Sequence, residues 1–152
     1  MRRLGQASAM VLALAWAGAA GATGSLDCAI ADRTLALEAG AAVSYSIGGF
    51  NNFHAALTIK VKDVPADLAR LDLGPDDLMH HWFSGGELKL ELYREREGSP
   101  HGTVRLVVDT KRVPGSDGAY RGSYVLTLYT VPPDDGEGRS RTFKGKAACS
   151  VE

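Results

Sequence analysis

The sequence predicts an all-β domain: an antiparallel β-sandwich or barrel of about seven or eight strands, with one short helical segment near residues 65–83 and a disulfide joining its first and last strands. Three observations predict it. Apolar residues recur with a period of two through most of the chain after residue 26, the pattern of strands with one buried and one solvated face. Clusters of Gly, Pro, Asn, Asp and Ser interrupt that pattern at short intervals. Cys28 and Cys149, the chain's two cysteines, both fall in the apolar phase of their segments.

The first residues read differently from the rest. Met1-Arg2-Arg3-Leu4 is followed by an uncharged stretch of 14 residues from Ala7 to Ala20, then by the small-x-small triplet Ala20-Gly21-Ala22. A charged start, an apolar centre and a small-residue cleavage site, in that order, describe a secretory signal peptide. We therefore expect residues 1–22 to be cleaved and residues 23–152 to form a single domain. The apolar run is shorter than the roughly 20 residues a spanning helix needs, so no membrane span is expected. A lipid anchor is not expected either, because Cys28 follows Ser25-Leu26-Asp27 and an Asp is wrong for lipoprotein processing.

The strand pattern runs on from there. Leu26, Cys28 and Ile30 alternate with Asp27 and Ala29, and Val43, Tyr45 and Ile47 with Ser44 and Ser46. Phe53, Ala55, Leu57, Ile59 and Val61 share one face, opposite His54, Thr58, Lys60 and Lys62. Leu88-Leu90-Leu92, Val104-Leu106-Val108, the run from Tyr120 to Leu128, and Phe143-Ala147-Cys149-Val151 repeat the alternation. Turns are expected at Glu38-Ala39-Gly40, Gly48-Gly49, Gly98-Ser99-Pro100, residues 114–118 and residues 132–138.

Residues 63–84 depart from the period. Leu68 and Leu71 lie three apart, while Leu78/Trp82 and Met79/Phe83 lie four apart. Pro75 suits a first helical position, and Asp76 and Asp77 suit the positive end of a helix. This spacing predicts a helix over 75–83 and another turn over 65–71, capping an open end of the sheet.

Charge and cysteine content narrow the function classes. Without Arg2 and Arg3, 15 basic side chains face 18 acidic ones, a mild net −3 with no long run of either sign. That argues against nucleic-acid binding, which needs clustered Lys and Arg on phosphates. Two cysteines in an oxidising compartment pair most simply with each other, and the absence of a CxxC spacing favours a structural bridge over a redox one.

Candidate chemistry is sparse. His80-His81 is the most tempting metal pair, but neighbouring residues point to different sides of a strand or helix. A Cu or Zn site would need His54 or His101 brought in by the fold. No G-x-S-x-G elbow accompanies Ser123, and Asp134-Asp135-Gly136-Glu137 lacks the alternating spacing of a calcium loop. No catalytic residue, metal ligand or cofactor is assigned. The candidate interaction residues are Phe50, Asn51 and Asn52 in the Gly/Asn loop, His80, His81 and Trp82 in the irregular segment, and Tyr93 and Tyr129 on polar strand faces. Lys60, Lys62, Lys144 and Lys146 would form a basic stripe if their two strands paired.

The expected function is a non-catalytic binding domain of the bacterial cell envelope, periplasmic or secreted. It would act on a protein partner as an inhibitor, immunity or envelope accessory factor. A periplasmic small-ligand or metal-binding protein and a hydrolase with an unrecognised site are the alternatives.

Overall fold

The computed structural model describes residues 23–45, 49–134 and 136–152; the expected leader, together with Ser46, Ile47, Gly48 and Asp135, lies outside them. The strands are β1 (Thr23–Ala31), β2 (Leu35–Ser44), β3 (Gly49–Ile59), β4 (Arg70–Leu73), β5 (Leu78–Ser84), β6 (Glu87–Glu95), β7 (Gly102–Arg112), β8 (Ala119–Thr130) and β9 (Arg139–Val151). One helical turn, α1 (Ala66–Ala69), precedes β4, and a 3-10 turn at Pro75–Asp77 separates β4 from β5.

All nine strands form one antiparallel sheet in the order β4-β3-β2-β1-β9-β8-β7-β6-β5, coiled into a nearly closed barrel. The period-two residues explain the wall. Leu26, Cys28 and Ile30 of β1, Leu88, Leu90 and Leu92 of β6, and Val104, Leu106 and Val108 of β7 all point inward and are buried. Each such side chain removed from water contributes on the order of 1.5–3 kcal/mol. Tyr120 and Tyr124, the largest of the fully buried side chains, fill the interior from β8. Gly145, the cross-strand partner of Tyr124, leaves the space its ring occupies; a Cβ there would collide with the ring.

Tyr124 also ties the β1–β2 turn to β8, across the intervening β9. Its hydroxyl donates to Asp32 Oδ2 at 2.6 Å, while the backbone N–H groups of Thr34 and Leu35 donate to Asp32 Oδ1. Burial and the Asp32 carboxylate push the Tyr124 phenol up to about 12.

The first and last strands pair directly, with Cys28 opposite Cys149 and their Cα atoms 4.0 Å apart. The bridge is buried and closes a chain separation of 121 residues.

Several expectations are corrected. The helix over 75–83 is confined to the 3-10 turn, and Leu78–Ser84 is a strand. A register shift between Leu78 and His80 inserts an extra residue, and His81 takes an inward position. Together they hide the alternation and leave only the four-residue spacings visible. Glu38-Ala39-Gly40 is not a turn but the middle of β2; the chain reverses at Asp32–Thr34 instead. β3, which ends just before Lys60, does not pair with β9, which bears Lys144 and Lys146, because β2 and β1 intervene, so no stripe is formed through that pairing. α1 does close one end of the barrel: Leu68 is buried, its methyl 2.9 Å from where a Cβ on Gly102 would stand.

The sheet's two ends are consecutive in the chain. Because every pairing is antiparallel, β4 and β5 run in the same direction. They share one position in the barrel wall: β4 bonds to β3, β5 bonds to β6, and the 3-10 turn steps between them. This split strand leaves a seam along the barrel.

Candidate functional site

The two halves of the seam are closed by different chemistry. Beside β4, Arg94 of β6 and Arg96 just beyond its end do it. Arg94 donates to both carboxylate oxygens of Asp77 at 2.6 Å and to the Asp72 carbonyl at 3.0 Å. The guanidinium holds the buried Asp77 carboxyl below the usual carboxylate range, helped by the Gly74 N–H. Arg96 grips Asp67 of α1 through Nε and Nη2, and the Pro100 carbonyl through Nη1. Asp77, expected to serve only as a helix-end charge, is therefore the anchor of this junction.

Beside β5 the closure is aromatic. The β3–β4 ladder uses only Ala55–Thr58, so Gly49–His54 of β3 has no strand partner on the seam side. Phe50 reaches across to β5, its ring 4.7 Å from that of His81 and 6.1 Å from that of Phe83. Phe83 in turn meets Tyr45 and Tyr120, and the Arg112 guanidinium lies 5.8 Å over the Tyr120 ring. The β5–β6 register sets this arrangement: His81 and Phe83 oppose the inward Leu90 and Leu88, while His80 and Trp82 oppose the outward Glu91 and Lys89.

Each of the three large hydrophobic residues exposed among the described residues lies on β5 or touches it. Met79 (51% exposed) and Trp82 (54%) are on β5, and Tyr45 (51%) touches Phe83. Tyr45, Met79 and Phe83 are not among the residues the sequence marks for interaction. Tyr45 fell in the inward phase of its strand, and the other two read as helical spacing.

Of the sequence candidates, Phe50 and His81 meet at the seam, and Trp82 stands on the outer face of the same strand, β5. Asn51 and Asn52 are exposed on the free part of β3, with Asn52 at a positive φ of 54° where the β2–β3 register slips. His80 faces the outer surface, 3.3 Å from Glu91. Glu91 also accepts from Arg105 at 2.6 Å, and this guanidinium holds its carboxyl below the usual range. Tyr93 and Tyr129 lie outside the ring cluster. The Tyr93 hydroxyl donates to Glu95, and the Tyr129 ring packs 5.6 Å from that of His101.

The histidines stand at separate places: His54 beside Gly40, His80 on Glu91, His81 on Phe50, and His101 on Glu95. Among the described residues no three His, Cys, Asp or Glu side chains converge as metal ligands. A groove of about 780 Å³ runs over the outer face behind the disulfide and reaches β4 at Asp72 and Leu73, away from β5. Its floor is small, with Ala29, Ala56 and Ala148, and its acids Asp27, Glu38 and Asp72 stay exposed.

No helix among the described residues is long and apolar enough to cross a membrane. No family model, curated protein or solved structure matches this chain.

Proposed function

We propose that the protein is an exported, non-catalytic binding domain of the bacterial cell envelope that engages a protein partner through the aromatic half of its seam. The carrying observation is that Met79 and Trp82, two of the three large hydrophobic residues exposed among the described residues, lie on β5, a strand paired on one side only, with the third, Tyr45, against its Phe83. Aromatic residues and Met at a continuous surface are what protein interfaces enrich, and large apolar groups gathered in one patch mark interaction sites more often than scattered ones do. Behind them, a filled core and an end-to-end disulfide make a stiff support. The disulfide favours a periplasmic or secreted location, where such bonds persist.

The polar groups nearby serve structure in a way that suits this reading. Asp77 and Asp67 are each held by an arginine, Glu91 by Arg105, and Asp32 by Tyr124 and two backbone amides. A buried aromatic anchor is worth about 2 kcal/mol or more at an interface, roughly thirty-fold in affinity. Capture of a partner from native envelope by residues 23–152, repeated with Trp82→Ala and with Tyr129→Ala as control, tests the proposal. We expect Trp82→Ala to lose the partner and Tyr129→Ala to keep it. Equal recovery with both variants, or a stoichiometric bound metal and no partner, would refute it.

A further inference from the structure

We propose that the partner is taken as an extended strand: a partner segment, apolar at alternate positions, adds to the free edge of β5 and lies in the seam beside β3. This rests on the binding reading above and specifies its mode.

The backbone supplies the first argument. Among the described residues β5 is bonded to β6 alone, so alternate N–H and C=O groups of Met79–Ser84 face the seam without a ladder. Such a row is a template for another extended chain.

The contrast between the two sheet edges supplies the second. β4 is protected. It is four residues long, lies between Pro65 and Pro75, and has its Asp72 carbonyl covered by Arg94. β5 is seven residues long and reads Leu-Met-His-His-Trp-Phe-Ser, with no Lys, Arg, Asp, Glu or Pro. Those are the residues by which natural edges discourage pairing. Beyond the bulge at Met79, the edge that carries Trp82 bears none of these guards.

The seam's shape and lining identify the occupant. Phe50, His81 and Phe83 form its floor, so inward side chains of an added strand rest on rings and must be apolar. Outward ones lie near Trp82 on one side and Asn51 and Asn52 on the other. A single strand takes about 4.8 Å in the bonding direction, whereas the edge of a second barrel brings its whole wall against β3. Pairing of two copies through seven residues alone also covers only on the order of 200–300 Å², short of the roughly 800 Å² per partner of a stable interface. A lone segment on β5 also meets the rings of Phe50 and Phe83, which adds apolar contact that edge-to-edge pairing of two barrels lacks.

Site-specific photo-crosslinking of the full chain in cells tests this, with p-benzoylphenylalanine placed singly at His80, Trp82 or Ser84 and, as control, at Ser123 on β8. The expected result is one partner protein crosslinked from the three β5 positions. Its adducts should fall two residues apart within one short segment, and none should come from Ser123. Adding Trp82→Lys should cut the Ser84 adduct at least ten-fold without changing the melting temperature. Adducts scattered over a folded face or helix, or none from β5 while a Trp82-dependent partner is still captured, overturn strand addition and leave the binding reading standing. Adducts to β5 of a second copy overturn the partner assignment. No adduct and no captured partner overturn both.

Discussion

Phe50 and His81, thirty-one positions apart in the chain, stack with ring centroids 4.7 Å apart across a seam that no strand pairing among the described residues bridges. Their contact joins β3 to β5 through side chains alone. Truncating a fully buried Phe costs about 3–5 kcal/mol, and Phe50 is half-buried. Phe50→Ala should therefore lower stability by about 1–2 kcal/mol and speed amide exchange in β5 more than in β1 or β9. Uniform exchange across the barrel would show that the rings do not hold the seam.

Trp82→Ala should separate binding from folding. The side chain is 54% exposed on the outer face of an edge strand, and such surface changes usually stay within about 0.5 kcal/mol. Thermal melting should hardly move while partner capture falls. A large drop in melting temperature would mean Trp82 belongs to the scaffold.

Arg94→Ala attacks the other half of the seam. It strips Asp77 of two charge-assisted hydrogen bonds and uncovers the Asp72 carbonyl. Removing one partner of a buried pair costs about 3–5 kcal/mol. Arg94 remains 37% exposed, so solvent reduces the expected loss to about 2 kcal/mol. Denaturant titration reads it directly.

The acid limb follows from the same groups. Asp77 and Asp67 are lowered chiefly by their arginine partners and Glu91 by Arg105. Burial pushes Asp32 up, but the Tyr124 hydroxyl and the amides of Leu35 and Thr34 outweigh it. A carboxyl with a depressed folded-state pKa stabilises fully above its unfolded value, near 4, and loses that contribution as pH falls through the folded value. Stability should be flat on this account above about pH 5 and decline below about pH 4, less steeply in Arg94→Ala. The Tyr124 phenol, raised to about 12, acts in the opposite sense. Its contribution is complete below about pH 10 and is lost as pH rises toward 12. Tyr124→Phe should flatten that alkaline limb.

Reduction, or Cys28→Ser, releases a closure of 121 residues. Chain entropy alone puts this at about 4–5 kcal/mol, a large part of the 5–15 kcal/mol typical of a domain. The variant should unfold at much lower denaturant. A melting curve unchanged by reductant would remove the bridge from the account of stability.

Much of the wall was legible because strand phase is local. Whether Leu57 or Thr58 faces inward depends only on the identities of near neighbours, and the inward set of β1, β3, β6, β7 and most of β8 reads straight from the chain. β5 was not legible for an equally local reason. One bulged residue and one inward histidine broke its alternation, leaving Leu78/Trp82 and Met79/Phe83 to imitate a helix. Gly40 misled in the same way, a glycine inside a strand read as a turn.

The sequence by itself determined the β class, the inward phase of both cysteines and hence their pairing, and the stretch around Phe50 and His80-His81-Trp82 as the part that did not fit. Only the tertiary structure decided that these residues meet. Which strands become neighbours depends on the registers and bulges accumulated around the whole barrel. That sum places Arg94 on Asp77, Tyr124 on Asp32 across 92 positions, and Phe50 on His81. It also splits the closing strand between β3 and β6, and so leaves the edge of β5 free.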